Sequence, residues 1–215
     1  MRTLLGIVLV GSLLAGGLSP VQAQEDFQYG FTLGVNRVTL ETSVPASESY
    51  FAFVGGLILR QPLYGPLSLQ SGLLLDQKGV RIEAESEGAV DYGAGYLEIP
   101  LLLHLEAPPV RSITLHGEAG GFGAVKLIER QSPGGGDVDI ALRTGESFYR
   151  RIDAGLVAGV GATIPIRGQR LNLTVRRTWG LRDVARDVGD PPFPEAPFPS
   201  EGQTRTWSLL FRFGF

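Results

Sequence analysis

The side chains best suited to chemistry cluster in "YLEIPLLLHLE" (96–106), which supplies Glu98, His104 and Glu106, and in "ITLHGEAGGFGAVKL" (113–127), which supplies His116 and Glu118. A neutral imidazole beside a carboxylate can shuttle a proton or ligate a metal. All five residues fall on even positions, so at a period of two they share one face of a strand, opposite Leu97, Ile99, Leu101, Leu103 and Leu105. The polar faces of other segments add Asp76, Lys78, Lys126, Arg151, Asp153, Arg176 and Arg212. Mixed signs on such faces have a structural reading: an unpaired buried charge costs several kcal/mol, so each carboxylate needs a cation. The set is therefore expected to be a structural polar network, with no catalytic, metal or cofactor site. Nucleophilic ester hydrolysis would need a serine beside a histidine at the apolar face. Both histidines point to the polar face, and no His-x-Ser occurs.

The elements that carry these residues alternate almost everywhere. "FQYGFTLGVNR", "FAFVGGLILR", "LSLQSGLLLDQK", the two segments above, "YRRIDAGLVAGVGATI", "LNLTVRRTWGL" and "TWSLLFRFGF" each show a period of two, giving eight strands. Short connections ("PLYGP", "APPVRS", "RGQ") alternate with long polar ones, roughly 40–49, 80–91, 129–147 and 182–203. That is the connectivity of an up-and-down meander with short turns at one end and long loops at the other. Pro100 interrupts a strand without an N–H to give, which predicts a bulge or a local break in the ladder. The glycines of "GEAGGFGA" (117–124) lie within a strand and not at a strand-to-helix turn, so they read as relief of crowding and not as a phosphate loop.

Residues 1–23 have the pattern of an export leader: Arg2, an apolar run from Leu4 to Leu18, and "VQA" before Gln24. Cleavage after Ala23 would leave residues 24–215 as one domain, with 18 basic against 22 acidic side chains and a formal charge of −4. No basic footprint for nucleic acid results. The chain has no cysteine, so neither disulfides nor an acylated cysteine holds it. No apolar run after the leader is long enough for a helical span, leaving a closed β-barrel as the remaining way across a bilayer.

A soluble lipocalin-like lipid carrier would carry the same alternation with its faces reversed. The charges and most glycines on one face, against an almost wholly aliphatic and aromatic opposite face, favour lipid outside and a crowded polar interior. Two aromatic belts are expected. Phe27, Tyr29, Tyr64, Phe213 and Phe215 lie toward the short turns. Tyr50, Phe51, Phe53, Tyr92, Tyr96, Phe148, Tyr149, Trp179 and Trp207 lie toward the long loops.

"GYLEIPLLLHLE" (95–106), "DAGLVAGVGATI" (153–164), "VRRTWGLRDV" (175–184) and the terminal "SLLFRFGF" together resemble the PorT-type outer-membrane β-barrel family of Bacteroidota-like bacteria. In that family an aromatic usually follows the arginine of the seventh strand; here Arg177 follows Arg176. The resemblance implies a transmembrane barrel in the outer membrane of a Gram-negative envelope and implies no particular activity. Phe211, Phe213 and Phe215 resemble the terminal signal read by the outer-membrane assembly machinery. A structural or surface-interaction role is expected, with a narrow pore or a part in a secretion assembly as alternatives. Arg177, Arg182, Arg186 and Arg205 are expected near the outer rim, where lipopolysaccharide phosphates would meet them. An extracellular or envelope protein partner would meet the long loops, the last of which displays "PPFPEAPFP".

Overall fold

A computed structural model of the chain describes residues 27–41, 47–84, 88–133, 149–166, 169–185 and 201–214. The leader, Phe148, Arg186, the "PPFPEAPFP" stretch and Phe215 lie outside the described residues. The alternating segments form eight long strands: β1 (Gln28–Glu41), β2 (Tyr50–Tyr64), β3 (Leu67–Ala84), β4 (Gly88–Glu106), β5 (Thr114–Pro133), β6 (Ile152–Ile166), β7 (Gln169–Asp183) and β8 (Gln203–Phe213). A two-residue strand, Ser47–Glu48, pairs with Ile82 and Arg81 of β3. Every sequential pair is antiparallel, and β1 pairs with β8, so the sheet closes into an up-and-down barrel. No helix occurs among the described residues.

Register sets the shape of the wall. From Arg37 the ladder runs through Trp207, Arg177, Ala158, Ala119, Leu103 and Leu69 to Gln61. Gln61 lies ten residues beyond Phe51, the partner of Arg37 in the other direction. A ten-residue stagger over eight strands corresponds to a tilt of about 40°. The lipid-facing rows from Phe27 to Val35, Leu67 to Leu75 and Leu97 to Leu105 therefore each rise roughly 20 Å, near the height of a membrane-barrel apolar band.

Pro100 breaks the ladder without a bulge. Pairing between β3 and β4 stops after Ser71↔Leu101 and resumes in the same register at Leu74↔Glu98. The Ser71 hydroxyl, on the lipid-facing side, donates to the Pro100 carbonyl at 2.8 Å. A shift of register occurs instead between β4 and β5, where Gly95↔Ile128 is followed by Tyr96↔Lys126. Leu127 is the extra residue, so Leu127 and Ile128 both face outward while Lys126 and Glu129 turn inward.

Two expectations are corrected. Most of the long loop expected at 80–91 is strand, because β3 runs to Ala84 and β4 starts at Gly88. Three members of the expected loop-end belt are inside the barrel: Tyr92 and Tyr96 are 0% exposed and Tyr149 is 2% exposed. Tyr92 and Tyr96 are in phase with Glu98, so an unbroken β4 must turn them inward. Phe51, Phe53 and Trp207 do face outward at that end, as do Phe27, Tyr29, Tyr64 and Phe213 at the other.

Candidate functional site

Inward side chains are buried along the barrel, and their polar groups meet across it. Glu118 on β5 is the centre. Its carboxylate accepts from both terminal nitrogens of Arg212 on β8 (2.8 and 2.9 Å), from Arg176 Nε on β7 (3.0 Å) and from Gln70 Nε2 on β3 (3.3 Å). Toward the short turns, Glu106 accepts from Arg60 at 3.0 Å and from Arg170 at 3.2 Å, while Arg60 also donates to Gln70. Above Glu118, Lys78 on β3 reaches Asp153 on β6 at 2.7 Å and Asp76 at 3.6 Å, and Asn36 on β1 donates to Asp76 at 2.5 Å. Arg176 stands 3.9 Å from Glu98 and so links the two levels.

The histidines fit into this packing. Their rings stack with centroids 4.9 Å apart. His116 Nε2 shares a hydrogen bond with Thr174 Oγ1 at 3.0 Å. His104 Nε2 lies 3.5 Å from Glu106 Oε1, within ion-pair reach but without hydrogen-bond geometry. Glycines on the facing strand make the room: a Cβ at Gly161 would land on the His116 ring, and one at Gly159 would come within 3.1 Å of Glu118 Cγ. Among the described residues, no three His, Cys, Asp or Glu side chains converge as a metal site.

At the loop end the filling becomes apolar. Val80, Ile82, Val90, Tyr92, Tyr96, Leu40, Val184 and Ala185 pack around Tyr149. The Tyr149 hydroxyl donates to the Tyr92 carbonyl at 2.9 Å, its N–H donates to Glu129 at 2.9 Å, and its carbonyl accepts from Lys126. Lys126 in turn pairs with Glu129 at 2.6 Å. The chain entering β6 is held to the chain leaving β7 by Arg150 N–H to Val184 O at 2.7 Å. These contacts lie at the loop end, above the charged network.

Of the residues expected in the network, Asp76, Lys78, Glu98, His104, His116, Glu118, Asp153, Arg176 and Arg212 are buried, and Glu106 is partly buried at the short-turn end. Lys126 joins at the top, whereas Arg151 is exposed just before β6 and has no place inside. Arg60 and Glu129 belong to the network but were not expected there. Arg60 was legible, since it keeps the phase of Ile58 opposite Leu57 and Leu59. Glu129 was not, because the extra residue at Leu127 reverses the phase. Arg177 stacks on Trp207 at 4.9 Å, Arg205 pairs with Glu41 at 2.8 Å, and Arg182 is exposed. Phe211 and Phe213 face outward on β8.

The match to a family model agrees with this architecture. The family described as "Outer membrane protein beta-barrel domain" matches residues 22–186. Among solved structures, Neisserial surface protein A is 11% identical over 89% of this chain and all of its own, with a TM-score of 0.47. Ail, the attachment invasion locus protein of Yersinia pestis, is 13% identical over 88% of this chain and 99% of its own, with a TM-score of 0.44. No curated protein matches. The chain belongs to the outer membrane protein β-barrel domain family.

Proposed function

We propose that this outer-membrane barrel is a non-catalytic, non-conducting element of the cell envelope that works through its outer wall and its loop-end surface. One observation carries the reading: ion pairs cross the lumen at successive levels, and Tyr149 is buried at the loop end above them. An eight-stranded barrel has an interior just wide enough for side chains, and here side chains occupy it. The histidines support a packing role: their rings stack on each other, and His116 Nε2 shares a hydrogen bond with the buried hydroxyl of Thr174. Delivery by the N-terminal leader, folding directed by the C-terminal aromatic strand and contact with lipopolysaccharide complete the proposal. The resemblance in 95–106 and 153–164 supports a place among PorT-type members of the family. Reconstitution into planar bilayers tests the reading: no conductance steps are expected, and stable open-channel steps in the unmodified chain would favour the narrow pore instead.

A further inference from the structure

The two tryptophans of this chain, Trp179 and Trp207, both lie on the outer side of the β7–β8 wall near the loop end. Trp207 has an arginine directly across from it on each side, Arg177 on β7 and Arg37 on β1. The Arg177 guanidinium lies over the Trp207 ring at 4.9 Å, and Trp207 remains half exposed beneath it. Arg37 is the first charged residue on the outer row of β1 above Phe27 to Val35, and it is exposed. Arg205, two residues before Trp207, is already neutralised: it pairs with Glu41 at 2.8 Å and donates to the Gly180 carbonyl at 2.7 Å. Among the described residues neither Arg37 nor Arg177 has a carboxylate within ion-pair distance.

Two cations with no carboxylate partner among the described residues, on a wall whose lower part faces hydrocarbon, are open to a counter-charge from outside the chain. Strand tilt places the Arg177 backbone roughly 6 Å below that of Arg37, and their strands are about 10 Å apart. Long arginine stems span such separations by extending toward the headgroup layer. Guanidinium forks match phosphate oxygens in pairs, and an indole beside them suits the boundary between headgroup and chain. We infer that Arg37 and Arg177 clamp a phosphate of an outer-leaflet lipid over Trp207. This rests on the reading of the chain as an outer-membrane barrel, and it deepens that reading by naming the site.

Because both tryptophans sit at the site, intrinsic fluorescence of the full chain in neutral detergent reports on it directly. Titration with bisphosphorylated lipid A is expected to give a saturable change, whereas dephosphorylated lipid A gives none. Inorganic phosphate is expected to give none at the same concentrations; an equal response to it would overturn the assignment to a lipid. Arg37→Ser with Arg177→Ser is expected to weaken the half-saturation point at least tenfold, while Arg111→Ser, at an exposed position in a short connection at the opposite end of the barrel, leaves it unchanged. Arg37→Lys with Arg177→Lys, which keeps the charge and loses the fork, is expected to weaken it several-fold and serves if the serine pair does not fold. Equal titrations of the unmodified and doubly substituted chains, or of phosphorylated and dephosphorylated lipid, would overturn the clamp. A chain that fractionates to the outer membrane yet fails these titrations loses only the clamp. A chain recovered in the soluble periplasm loses the barrel reading itself.

Discussion

The lower and upper parts of the barrel invert the same pattern. On β4 the even positions point inward throughout, yet they carry Glu98 and His104 below and Tyr92, Ala94 and Tyr96 above. The odd positions carry Leu97 to Leu105 below and Asp91 and Gly93 above. β3 behaves alike: Leu73 and Leu75 face out below, Gln77 and Arg81 above, while Asp76 and Lys78 give way to Val80 and Ile82 inside. The backbone does not change phase; the solvent does. Where the outer wall meets lipid, apolar groups go out and the polar interior must neutralise itself. Where the strands rise past the apolar band into water, the same sheet packs like a soluble one, apolar inside and charged outside.

The two regions should therefore respond differently to substitution. Glu118→Ala removes the acceptor shared by Arg212, Arg176 and Gln70 and leaves buried cations unpaired; it should destabilise the whole barrel by about 3–5 kcal/mol, read as a lower urea midpoint for the boil-sensitive gel band. Leu101→Arg, mid-height on the lipid wall, should cost about 2–4 kcal/mol, whereas Gln77→Arg at the rim should cost about 0–1 kcal/mol. Equal costs in refolding titrations would remove the boundary between the regions. Gly161→Ala, whose Cβ would crowd the Leu173 carbonyl as well as His116, should cost about 1–3 kcal/mol by the same assay.

In the upper region the effects should be smaller and local. Tyr149→Phe deletes the bond to the Tyr92 carbonyl and should cost about 1 kcal/mol, seen as faster amide exchange in β3 and β4 above Lys78 with the lower strands unchanged. Smallest of all is the outward Arg81–Asp91 pair, with contacts of 2.6 and 2.7 Å. Arg81→Ala should cost about 0.2–1 kcal/mol, and added salt should erase the difference.

Strand number, order and facing in the lower region were legible because a period of two holds there along each strand. Leucines at 97, 99 (as isoleucine), 101, 103 and 105 leave one assignment of the polar face. The upper region was misread for a physical reason. Tyr92 and Tyr96 resemble belt residues only if apolar always means outward, a rule that ends at the rim. Asp91 and Arg81 on the opposite face already marked that inversion in the sequence. The extra residue at Leu127 left no comparable mark, because Leu127 and Ile128 read equally well in either phase; Glu129 reads as the start of the loop at 129–147, whereas the strand continues to Pro133. The meeting of Glu118 with Arg212, 94 residues away, depends on barrel closure and could be read only as a demand for some cation.

The inversion can be tested most directly by cysteine accessibility in intact cells, since the chain has no cysteine of its own. Arg81→Cys, Asp91→Cys, Leu97→Cys and Leu101→Cys would be exposed to a membrane-impermeant maleimide. Labelling at 81 and 91 with protection at 97 and 101 is the predicted result. Labelling at 97 and 101 after gentle release of periplasmic contents, or protection at 81 and 91 on intact cells, would contradict it.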